Sequence, residues 1–410
     1  MHHIAIVGAS LAGWHAATTL RREGFEGTVT VIGAEADRPY DRPPLSKKFL
    51  VDGDDAKVAL HGVADSEALN LQWRLGVAAT ALDPAARIIS LENGDQLAYD
   101  GLIIATGSVV RTLPGVVPGG GVHVLRTVQD ARALRADLET CRDEGGGPLV
   151  VIGAGFIGSE VAATARELGH EVVLVEAAEV PLERAVGAEI GRVCAELHRD
   201  HGVDVRLGTG VASITPGTGT GGGPVVQLSD GSEIRAGVVV VGVGVRPSTD
   251  WLVSSGLGLD DGVVCDATGL AAPNVVAAGD VARWPNRLFF DESMRVEHWD
   301  NAIDMGSFVA RRLLGGDQWD PEQVFAPVPW FWSDQYDRKL QMAGRATHHD
   351  RFVIAGGTTE ERRFVALYGR AGRLVAAFGM NRPRQIVQCR TLIGNGCSWD
   401  EALALAAGWT

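Results

Sequence analysis

Two short runs of β-branched residues, one near the start of the chain and one near residue 150, each lead into a glycine-rich turn. The runs are residues 4–7 and 149–152, and each turn is followed by an alanine-rich stretch with helical spacing. A second apolar run, residues 29–32 or 172–175, completes each copy. Continuous apolar runs of this length are typical of buried parallel strands. The pattern therefore predicts two βαβ units in one chain.

The turns have the composition of a dinucleotide-binding loop. A helix that begins at such a turn directs free N–H groups and the positive end of its dipole at a phosphate. Glycine is required where the backbone bends, approaches the phosphates and packs helix against strand, and a later acid accepts hydrogen bonds from a ribose. The second copy is complete, with Gly153, Gly155, Gly158 and Glu176.

The first copy departs from this pattern at two positions. It keeps Gly8 and Gly13, but Ser10 replaces the middle glycine and Glu35 lies two residues further on. Serine is small, so we expect the turn to survive with tighter phosphate approach. A glycine turn can also merely pack a βα unit, which is the alternative for either copy alone. Two copies together predict two bound dinucleotides with electrons passing between them.

The rest of the chain predicts further strands, helices and turns. An apolar run ends at Thr106-Gly107, and another delivers Gly279-Asp280 to a turn where a carboxylate can meet ligand hydroxyls. The Gly/Thr/Pro tract at 215–224 predicts a hairpin tip. Helices are predicted at 127–142, 186–201 and 300–314, and strands at 87–92, 97–105, 238–243, 339–344, 352–356, 363–369 and 373–379.

Composition narrows the class of protein. The chain has 410 residues, enough for two or three domains, and a formal net charge of −14, which argues against nucleic acid as a partner. No run approaches 18 uninterrupted apolar residues, and the first strand begins directly after Met1-His2-His3. We therefore expect a cytoplasmic protein with no membrane contact.

The cysteine pattern predicts no redox motif and no metal site. The five cysteines are scattered, no CxxC spacing occurs, and no His/Cys cluster has the spacing of metal ligands. Buried or incidental thiols in a reducing compartment are the expectation.

Charge is distributed unevenly along the chain. Residues 325–410 carry eleven basic and seven acidic side chains, a local balance of +4 against −14 for the whole. This asymmetry indicates that the C-terminal segment meets an acidic partner. An ordinary solvated surface is the alternative.

Three further motifs carry a resemblance to a known family. Residues 40–47 (YDRPPLSK), 295–299 (RVEHW) and 329–335 (PWFWSDQ) accompany the two glycine turns in this order. Together they resemble the two-dinucleotide flavoprotein reductases, and within them the putidaredoxin-reductase-like ferredoxin and rubredoxin reductases of bacterial oxygenase and cytochrome P450 systems. The resemblance spans essentially the whole chain, and these motifs are more specific than the glycine turns.

The resemblance implies an α/β fold with two Rossmann-like, glutathione-reductase-like domains and a C-terminal α+β domain. The implied limits are 1–112 with 246–322 for a discontinuous FAD-binding domain, 113–245 for an NADH-binding domain, and 323–410 for the C-terminal interface domain. A monomer is expected.

The resemblance also implies a role for individual residues. Lys47, near the reactive edge of the flavin, is expected to pair with Glu160, which faces the nicotinamide pocket; the alternative is that Lys47 lies on a solvated turn beside Lys48. His298 is interpreted as a packing or hydrogen-bonding residue. The other implied FAD-binding residues are Gly8, Ser10, Gly13, Glu35, Arg42, Thr106, Gly107, Gly279, Asp280, Glu297, Trp299 and Trp330. The implied NADH site comprises Gly153, Gly155, Gly158, Glu160, Glu176 and Gly242.

Charge indicates the choice of nicotinamide cofactor. Glu176 would accept a hydrogen bond from the 2′-hydroxyl of NADH and repel a 2′-phosphate, and the neighbouring Ala177 and Ala178 supply no cation. NADH is therefore predicted over NADPH.

The missing cysteines indicate where the electrons go. Related enzymes that reduce disulfides or peroxides carry cysteine beside the flavin, whereas residues 42–50 contain none and no cysteine precedes Cys141. Hydride is expected to pass from NADH to FAD, and single electrons then to an external [2Fe–2S] ferredoxin. Such ferredoxins are commonly acidic, so the basic C-terminal domain is the expected docking face, with Trp330 and Trp332 as candidates at the interface or as ordinary aromatic core.

Two alternatives remain open. One is another reductase on this scaffold: a rubredoxin reductase, a nitrite-reductase flavin component or a quinone diaphorase. The other is a non-enzymatic flavoprotein whose NADH-induced shape change regulates partner binding, as in apoptosis-inducing-factor relatives.

Overall fold

Eight α-helices occur in the part of the chain that the structure, a computed structural model, describes, namely residues 1–217 and 222–409. They are α1 (Leu11–Arg22), α2 (Lys48–Asp52), α3 (Val128–Asp143), α4 (Phe156–Glu167), α5 (Glu183–Asp200), α6 (Trp299–Gly315), α7 (Pro383–Gly394) and α8 (Trp399–Ala406).

The same described residues contain 27 β-strands. They are β1 (His3–Val7), β2 (Thr28–Gly33), β3 (Gln72–Leu75), β4 (Ala79–Asp83), β5 (Ile88–Leu91), β6 (Gln96–Ala98), β7 (Gly101–Ile104), β8 (Ser108–Val110), β9 (Val122–His123), β10 (Leu149–Ile152), β11 (Val172–Val175), β12 (Asp204–Arg206), β13 (Val211–Thr215), β14 (Val225–Leu228), β15 (Glu233–Arg235), β16 (Val238–Val241), β17 (Val245–Pro247), β18 (Val263–Val264), β19 (Leu270–Ala272), β20 (Val275–Ala277), β21 (Ala282–Asn286), β22 (Glu292–Met294), β23 (Trp330–Gln335), β24 (Arg338–Gly344), β25 (Arg351–Thr358), β26 (Arg363–Arg370) and β27 (Arg373–Met380).

The chain forms two compact units, each built from three separate segments. Unit 1 comprises Met1–Asp41, Ala59–Val109 and Arg246–Phe331, and unit 2 comprises Arg42–Val58, Val110–Val245 and Trp332–Thr410.

Unit 1 is built on a six-stranded sheet of order β19-β20-β7-β1-β2-β3. β1 pairs in parallel with β2 and with β7, so the first predicted βαβ unit is confirmed. Helix α1 packs against α6 so closely that a Cβ on Gly306 would lie 2.4 Å from the carbonyl oxygen of Ala12. This approach brings the end of the unit 1 sequence onto the first glycine turn.

Unit 2 contains a five-stranded parallel sheet of order β12-β11-β10-β16-β9. Every residue of β10, β11 and β16 is buried, which confirms the second βαβ unit and explains the uninterrupted apolar runs. Leu149 and Val151 of β10 pack with the helices α3 and α4, while Val150 and Ile152 pack toward β13–β15. The alternation follows from the two-residue repeat of a strand.

A three-stranded antiparallel sheet accompanies each parallel sheet: β4-β5-β6 in unit 1 and β13-β14-β15 in unit 2. The duplication therefore extends beyond the glycine turns. The hairpin tip predicted at 215–224 falls between β13 and β14, and its residues 218–221 lie outside the described part of the chain.

The C-terminal part of unit 2 is a five-stranded sheet of order β23-β24-β27-β26-β25 with α7 and α8. The four strands predicted there and the helical ending are confirmed. Contacts to α5 involve both the sheet and its turns: the hydroxyl of Tyr368 donates to the carbonyl of Val186 at 2.6 Å, and Arg362, in the turn before β26, pairs with Glu196 and Asp200 at 3.0 Å each.

Three predicted elements differ from the structure in extent. The strand predicted at 97–105 is divided into β6 and β7, because the chain passes here from the sheet in which β6 pairs with β5 to the sheet in which β7 pairs with β1. Helix α5 begins at Glu183, before the predicted position, and is kinked at Gly187, where φ is +80°. The predicted strand 238–243 ends at Val241, and Gly242 lies in the following turn.

Candidate functional site

The first glycine turn in unit 1 leaves no room for side chains at its two glycines. Gly8 has φ +123°, and a Cβ there would lie 2.0 Å from the carbonyl oxygen of Ala105. A Cβ on Gly13 would lie 1.9 Å from the carbonyl oxygen of Gly8. The backbone therefore passes from β1 into α1 by a route that only glycine permits.

The second turn, in unit 2, repeats this geometry. Gly153 has φ +97° and its Cβ would lie 2.4 Å from the carbonyl oxygen of Gly242, while a Cβ on Gly158 would lie 2.0 Å from the carbonyl oxygen of Gly153. Gly242, predicted to belong to the site, is therefore the counterpart of Ala105 in the first copy. The two turns therefore share the same close approaches at their first and last glycines.

The middle position of each turn explains why serine is accepted in one copy. Ser10 has φ −123° and ψ −157°, and Gly155 has φ −73° and ψ −178°, both extended conformations open to any residue. The expectation that the turn survives Ser10 is confirmed. A Cβ on Gly155 would meet no atom within 4 Å, so the loop faces open space at this point.

Both helix starts fit an anionic ligand. Neither Ser10 nor Gly155 caps its helix through a side chain, and neither α1 nor α4 has an acid in its first turn. Within its first turn, neither helix therefore carries a carboxylate of its own that would offset the positive end of its dipole. A pyrophosphate group suits each turn.

Glu176 follows β11, and its carboxylate holds the second turn. Its oxygens accept the N–H of Ala154 at 2.8 Å and the N–H of Ala178 at 2.9 Å. A carboxylate has about four acceptor positions, so Glu176 could accept further donors of the kind that a ribose offers. Glu176 therefore shapes the loop as well as offering acceptors to a ligand.

Glu35 follows β2 in unit 1 at the equivalent place. Its carboxylate accepts the hydroxyl of Tyr40 at 2.5 Å and is half-buried. Tyr40 belongs to the motif at 40–47, so this motif fixes the acid of the first copy.

Asp280 lies in the turn after β20 in unit 1. Ser108 donates its hydroxyl to the Asp280 carboxylate at 2.7 Å, and Gly279 has φ +73°. Thr106 donates to the carbonyl of Ser248 at 2.8 Å, and the carbonyl of Gly107 accepts the N–H of Ser248. Thr106 and Gly107 thus fix the chain beside Ser108, which orients Asp280.

The motif at 295–299 also contacts the Asp280 turn. Arg295 donates to the carbonyl of Asp280 at 3.3 Å and pairs with Glu297 at 2.5 Å and Asp261 at 3.2 Å. Burial opposes the charge of Arg295, but its two carboxylate partners outweigh it together and raise the pKa of the guanidinium. Glu297 therefore contacts the site through an arginine that sequence reasoning did not single out.

Two tryptophans and one arginine that are expected to bind FAD have the following places in the fold. Trp299 begins α6 and donates its indole N–H to the Asp41 carboxylate at 2.6 Å. Trp330 begins β23 and is half-buried. In unit 2, Arg42 donates to the carbonyl of Arg126 at 2.6 Å.

Lys47 and Glu160 form an ion pair within unit 2. Lys47 Nζ lies 3.0 Å from Glu160 Oε1, and the two side chains are 17% and 4% exposed. The geometry of the expected pair is present, and Lys47 does not lie on a solvated turn. Lys48, by contrast, is exposed.

Two serines absent from the predicted site also donate to Glu160. Ser46 lies 2.6 Å and Ser333 lies 2.8 Å from its carboxylate oxygens. Their positions directly beside Lys47 and inside the PWFWSDQ motif were the available signals. Sequence spacing alone does not show that residues 46, 160 and 333 meet.

The thiols of the chain are unsuited to electron transfer at this site. All five cysteines are free, and three of them, Cys194, Cys265 and Cys389, are buried. Burial raises the pKa of each of these three thiols to about 12. A thiol so far from ionisation is not a nucleophile at neutral pH.

Residues 1–217 and 222–409 contain neither a candidate metal cluster nor a candidate membrane-spanning helix. No group of three or more His, Cys, Asp or Glu side chains in this part of the chain could hold a metal ion. No helix within it has both the length and the apolar character needed to cross a membrane.

Two families match the chain in sequence. The family described as pyridine nucleotide-disulphide oxidoreductase matches residues 2–306, and the one described as reductase C-terminal matches residues 330–407. The chain belongs to the pyridine nucleotide-disulphide oxidoreductase family. Members bind FAD and a nicotinamide dinucleotide, and these are the two cofactors of this chain. The second match, residues 330–407, lies inside the range 323–410, whose limits as a domain stay a prediction.

Similar proteins include two characterised reductases. The chain is 37% identical to rhodocoxin reductase of Rhodococcus erythropolis, over 95% of this chain and 89% of that protein. It is also 37% identical to the ferredoxin–NAD(+) reductase component of the anthranilate 1,2-dioxygenase system of Burkholderia cepacia, over 96% of this chain and 95% of that protein.

The fold is shared with a solved complex. The chain resembles the reductase in the crystal structure of the covalent putidaredoxin reductase–putidaredoxin complex with a TM-score of 0.88 and 32% identity. The alignment covers 96% of this chain and 93% of that one. The α/β fold with a C-terminal α+β part is confirmed.

Proposed function

We propose that this chain is an NADH-dependent ferredoxin reductase that carries FAD and supplies single electrons to a [2Fe–2S] ferredoxin of an oxygenase system. The observation that carries the proposal is the presence of two glycine turns with shared geometry together with a Lys47–Glu160 ion pair, in a chain whose residues 42–50 contain no cysteine. The names of the similar proteins agree with this activity.

FAD is assigned to the first turn. Gly8, Ser10 and Gly13 receive the pyrophosphate, Glu35 the adenosine ribose, and Asp280 the ribityl chain. Ser108 and Arg295 support this assignment because they fix Asp280 from two sides. Arg42, Thr106, Gly107, Gly279, Glu297, Trp299 and Trp330 complete the proposed site. The proposed domain limits are 1–112 with 246–322 for the FAD-binding domain, 113–245 for the NADH-binding domain and 323–410 for the C-terminal domain.

NADH is assigned to the second turn. Gly153, Gly155, Gly158 and Gly242 shape the pyrophosphate site, and the open space beside Gly155 supports this placement. Glu176 keeps acceptor positions for the 2′- and 3′-hydroxyls, and its negative charge disfavours a 2′-phosphate.

Hydride transfer from nicotinamide C4 to flavin N5 is the chemistry that these two cofactors supply when bound. The chain's contribution is orientation and charge. The Lys47 ammonium supplies a positive charge that is held by the buried carboxylate of Glu160. His298 packs edge-on against Phe331 with ring centroids 5.0 Å apart, and no proton transfer is assigned to it.

The acceptor is proposed to dock on the basic C-terminal segment. Its balance of +4 complements an acidic ferredoxin. Trp330 and Trp332 are both half-buried, and we propose them as candidates at the docking interface. A monomeric, cytoplasmic enzyme remains the working proposal, and light scattering coupled to gel filtration measures the oligomeric state.

Turnover tests the proposed function. The purified protein should be yellow, with a flavin spectrum, and should oxidise NADH and reduce cytochrome c only when a [2Fe–2S] ferredoxin is added. A folded protein that takes up no FAD would contradict the proposal. Equal turnover with rubredoxin or quinones would favour another reductase, and slow reduction ending in a long-lived charge-transfer complex would favour a regulatory flavoprotein.

A further inference from the structure

The carboxylate of Glu160 in unit 2 accepts hydrogen bonds from three described side chains. Lys47 Nζ and Ser333 Oγ donate to Oε1 at 3.0 and 2.8 Å, and Ser46 Oγ donates to Oε2 at 2.6 Å. Glu160 is 3% exposed, and Ser46 and Ser333 are 1% and 0% exposed. A buried carboxylate is stable only when its oxygens are hydrogen-bonded, so the serines complete what the lysine begins.

A further side chain sets the direction of the Ser333 hydroxyl. Gln335 Nε2 donates to Ser333 Oγ at 3.2 Å, and Gln335 is completely buried. A serine hydroxyl has one hydrogen. Because its oxygen accepts from Gln335, that hydrogen is directed at Glu160.

Ser46 is held on the opposite side of the carboxylate. Thr164, one turn after Glu160 on α4, donates its hydroxyl to the carbonyl of Ser46 at 2.8 Å. The segment that carries Ser46 and Lys47 is thus attached to α4 at two points. Glu160 is fixed from the 42–58 segment and from β23 at once.

We propose that Ser333 and Ser46 are positioning residues that hold Glu160 in one orientation and, through it, fix the Lys47 ammonium for hydride transfer. The role of Lys47 in hydride transfer rests on the proposed function. A lysine side chain has four rotatable bonds and loses considerable entropy when fixed. An anchored carboxylate is therefore what keeps its charge in one place. Ser333 lies within residues 330–407, so the C-terminal segment contributes to the catalytic pair as well as to docking.

Stopped-flow flavin reduction tests the proposal. Ser333→Ala should lower the limiting rate constant about tenfold, because a hydrogen bond to a charged group is lost, and leave the dissociation constant of NADH unchanged. Ser333→Ala added to Glu160→Gln should cause no further loss, because Ser333 acts through Glu160. Equal losses in both backgrounds would overturn the proposal. Ser46→Ala should lower the limiting rate constant in the same way, and this variant tests the proposal if Ser333→Ala does not fold.

A neighbouring serine supplies the matched control. Ser159 precedes Glu160 on α4, is completely buried, and its hydroxyl has no hydrogen-bond partner among the described residues. Ser159→Ala removes the same atom without touching Glu160 and should leave the rate constant unchanged.

Nuclear magnetic resonance separates failure of this proposal from failure of the proposed function. The sequence has four lysines, Lys47, Lys48, Lys57 and Lys339. In the oxidised FAD-bound protein labelled with ¹⁵N-lysine, Lys47 should give the slowly exchanging ammonium signal, identified by Lys47→Arg. Ser333→Ala should broaden it, and Ser159→Ala should not. An unchanged signal in Ser333→Ala overturns the proposal whether or not NADH reduces the flavin.

Discussion

At the scale of single residues, Glu176 does more than its position in the sequence motif implies. The motif predicts an acceptor for ribose hydroxyls, but the same carboxylate also accepts the N–H groups of Ala154 and Ala178. The acid is therefore oriented by the loop it borders before any ligand arrives. Such preorganisation reduces the conformational cost of binding.

Glu176→Ala should weaken NADH use about tenfold in kcat/KM and narrow its advantage over NADPH, because a charge-assisted acceptor and a 2′-phosphate repulsion are lost together. Steady-state kinetics with both cofactors measure this. Glu179→Ala removes an exposed acid three residues away and serves as control. Unchanged kinetics for both cofactors would exclude Glu176 from the site.

At the scale of elements, the two glycine turns share the same backbone geometry. In each copy the first glycine contacts a neighbouring strand end and the third contacts the carbonyl of the first. Only the middle position is free, and there the two copies differ. Ser10 and Gly155 can therefore replace one another without a change in the fold of the turn, because the backbone is extended at both positions.

Variants of the second turn separate ligand binding from folding. Gly155→Ala should leave the thermal unfolding midpoint unchanged and raise the KM for NADH, because its Cβ enters open space beside the loop. Gly158→Ala should lower the unfolding midpoint, because its Cβ would lie 2.0 Å from the Gly153 carbonyl oxygen. Calorimetry and kinetics on both variants check this. An unfolding midpoint lowered equally in both would contradict the assignment of open space to Gly155.

The contact between α5 and the turn after β23 predicts a pH dependence of stability. His198 is completely buried, and Nδ1 lies 2.7 Å from the hydroxyl of Tyr336, against which His201 also stacks with ring centroids 3.8 Å apart. Burial, with a smaller contribution from His201, lowers the pKa of His198 from 6.5 to about 4. As the pH falls through 6.5, His198 therefore binds a proton in the unfolded chain, whereas in the folded chain it stays neutral until the pH approaches 4.

Stability contributed by neutral His198 should be complete above pH 6.5 and be lost as the pH falls toward 4, by about 3 kcal/mol in total. His198→Gln should flatten the fall of the unfolding midpoint between pH 6.5 and 4. The exposed His61→Gln is the control. If the unfolding midpoint of His198→Gln falls with pH as steeply as that of the wild type, the pH dependence arises from other groups.

At the scale of the whole molecule, charge is divided along the chain. The net charge is −14, yet residues 325–410 carry +4. Long-range attraction between opposite charges accelerates association and weakens with salt. A basic segment on an acidic protein thus directs an acidic partner to one region.

Arg384→Glu, an exposed position on α7, should slow ferredoxin reduction several-fold at low salt and less at high salt. Arg192→Glu makes the same charge change at an exposed position on α5, outside the basic segment, and should have a smaller effect. Rates with ferredoxin and with a small artificial acceptor, each across ionic strength, measure this. An effect confined to the artificial acceptor would contradict docking on the C-terminal segment.

The sequence by itself determined the parts of this protein that depend on local pattern. Apolar runs, glycines and a following acid are close together in the chain, so both βαβ units, both turns and the C-terminal strands could be predicted. The reason is that strand burial and tight turns impose residue types at fixed spacing.

Only the tertiary structure decided how distant residues combine. Ser46, Glu160 and Ser333 are separated by more than a hundred residues at each step and meet at one carboxylate, as Ser108 and Asp280 meet at another. Serine is common and carries no periodic signal, so its hydrogen-bond partner depends on which strands and helices pack together. The family resemblance predicted that Lys47 pairs with Glu160, and the fold adds the two serine hydroxyls that donate to the Glu160 carboxylate.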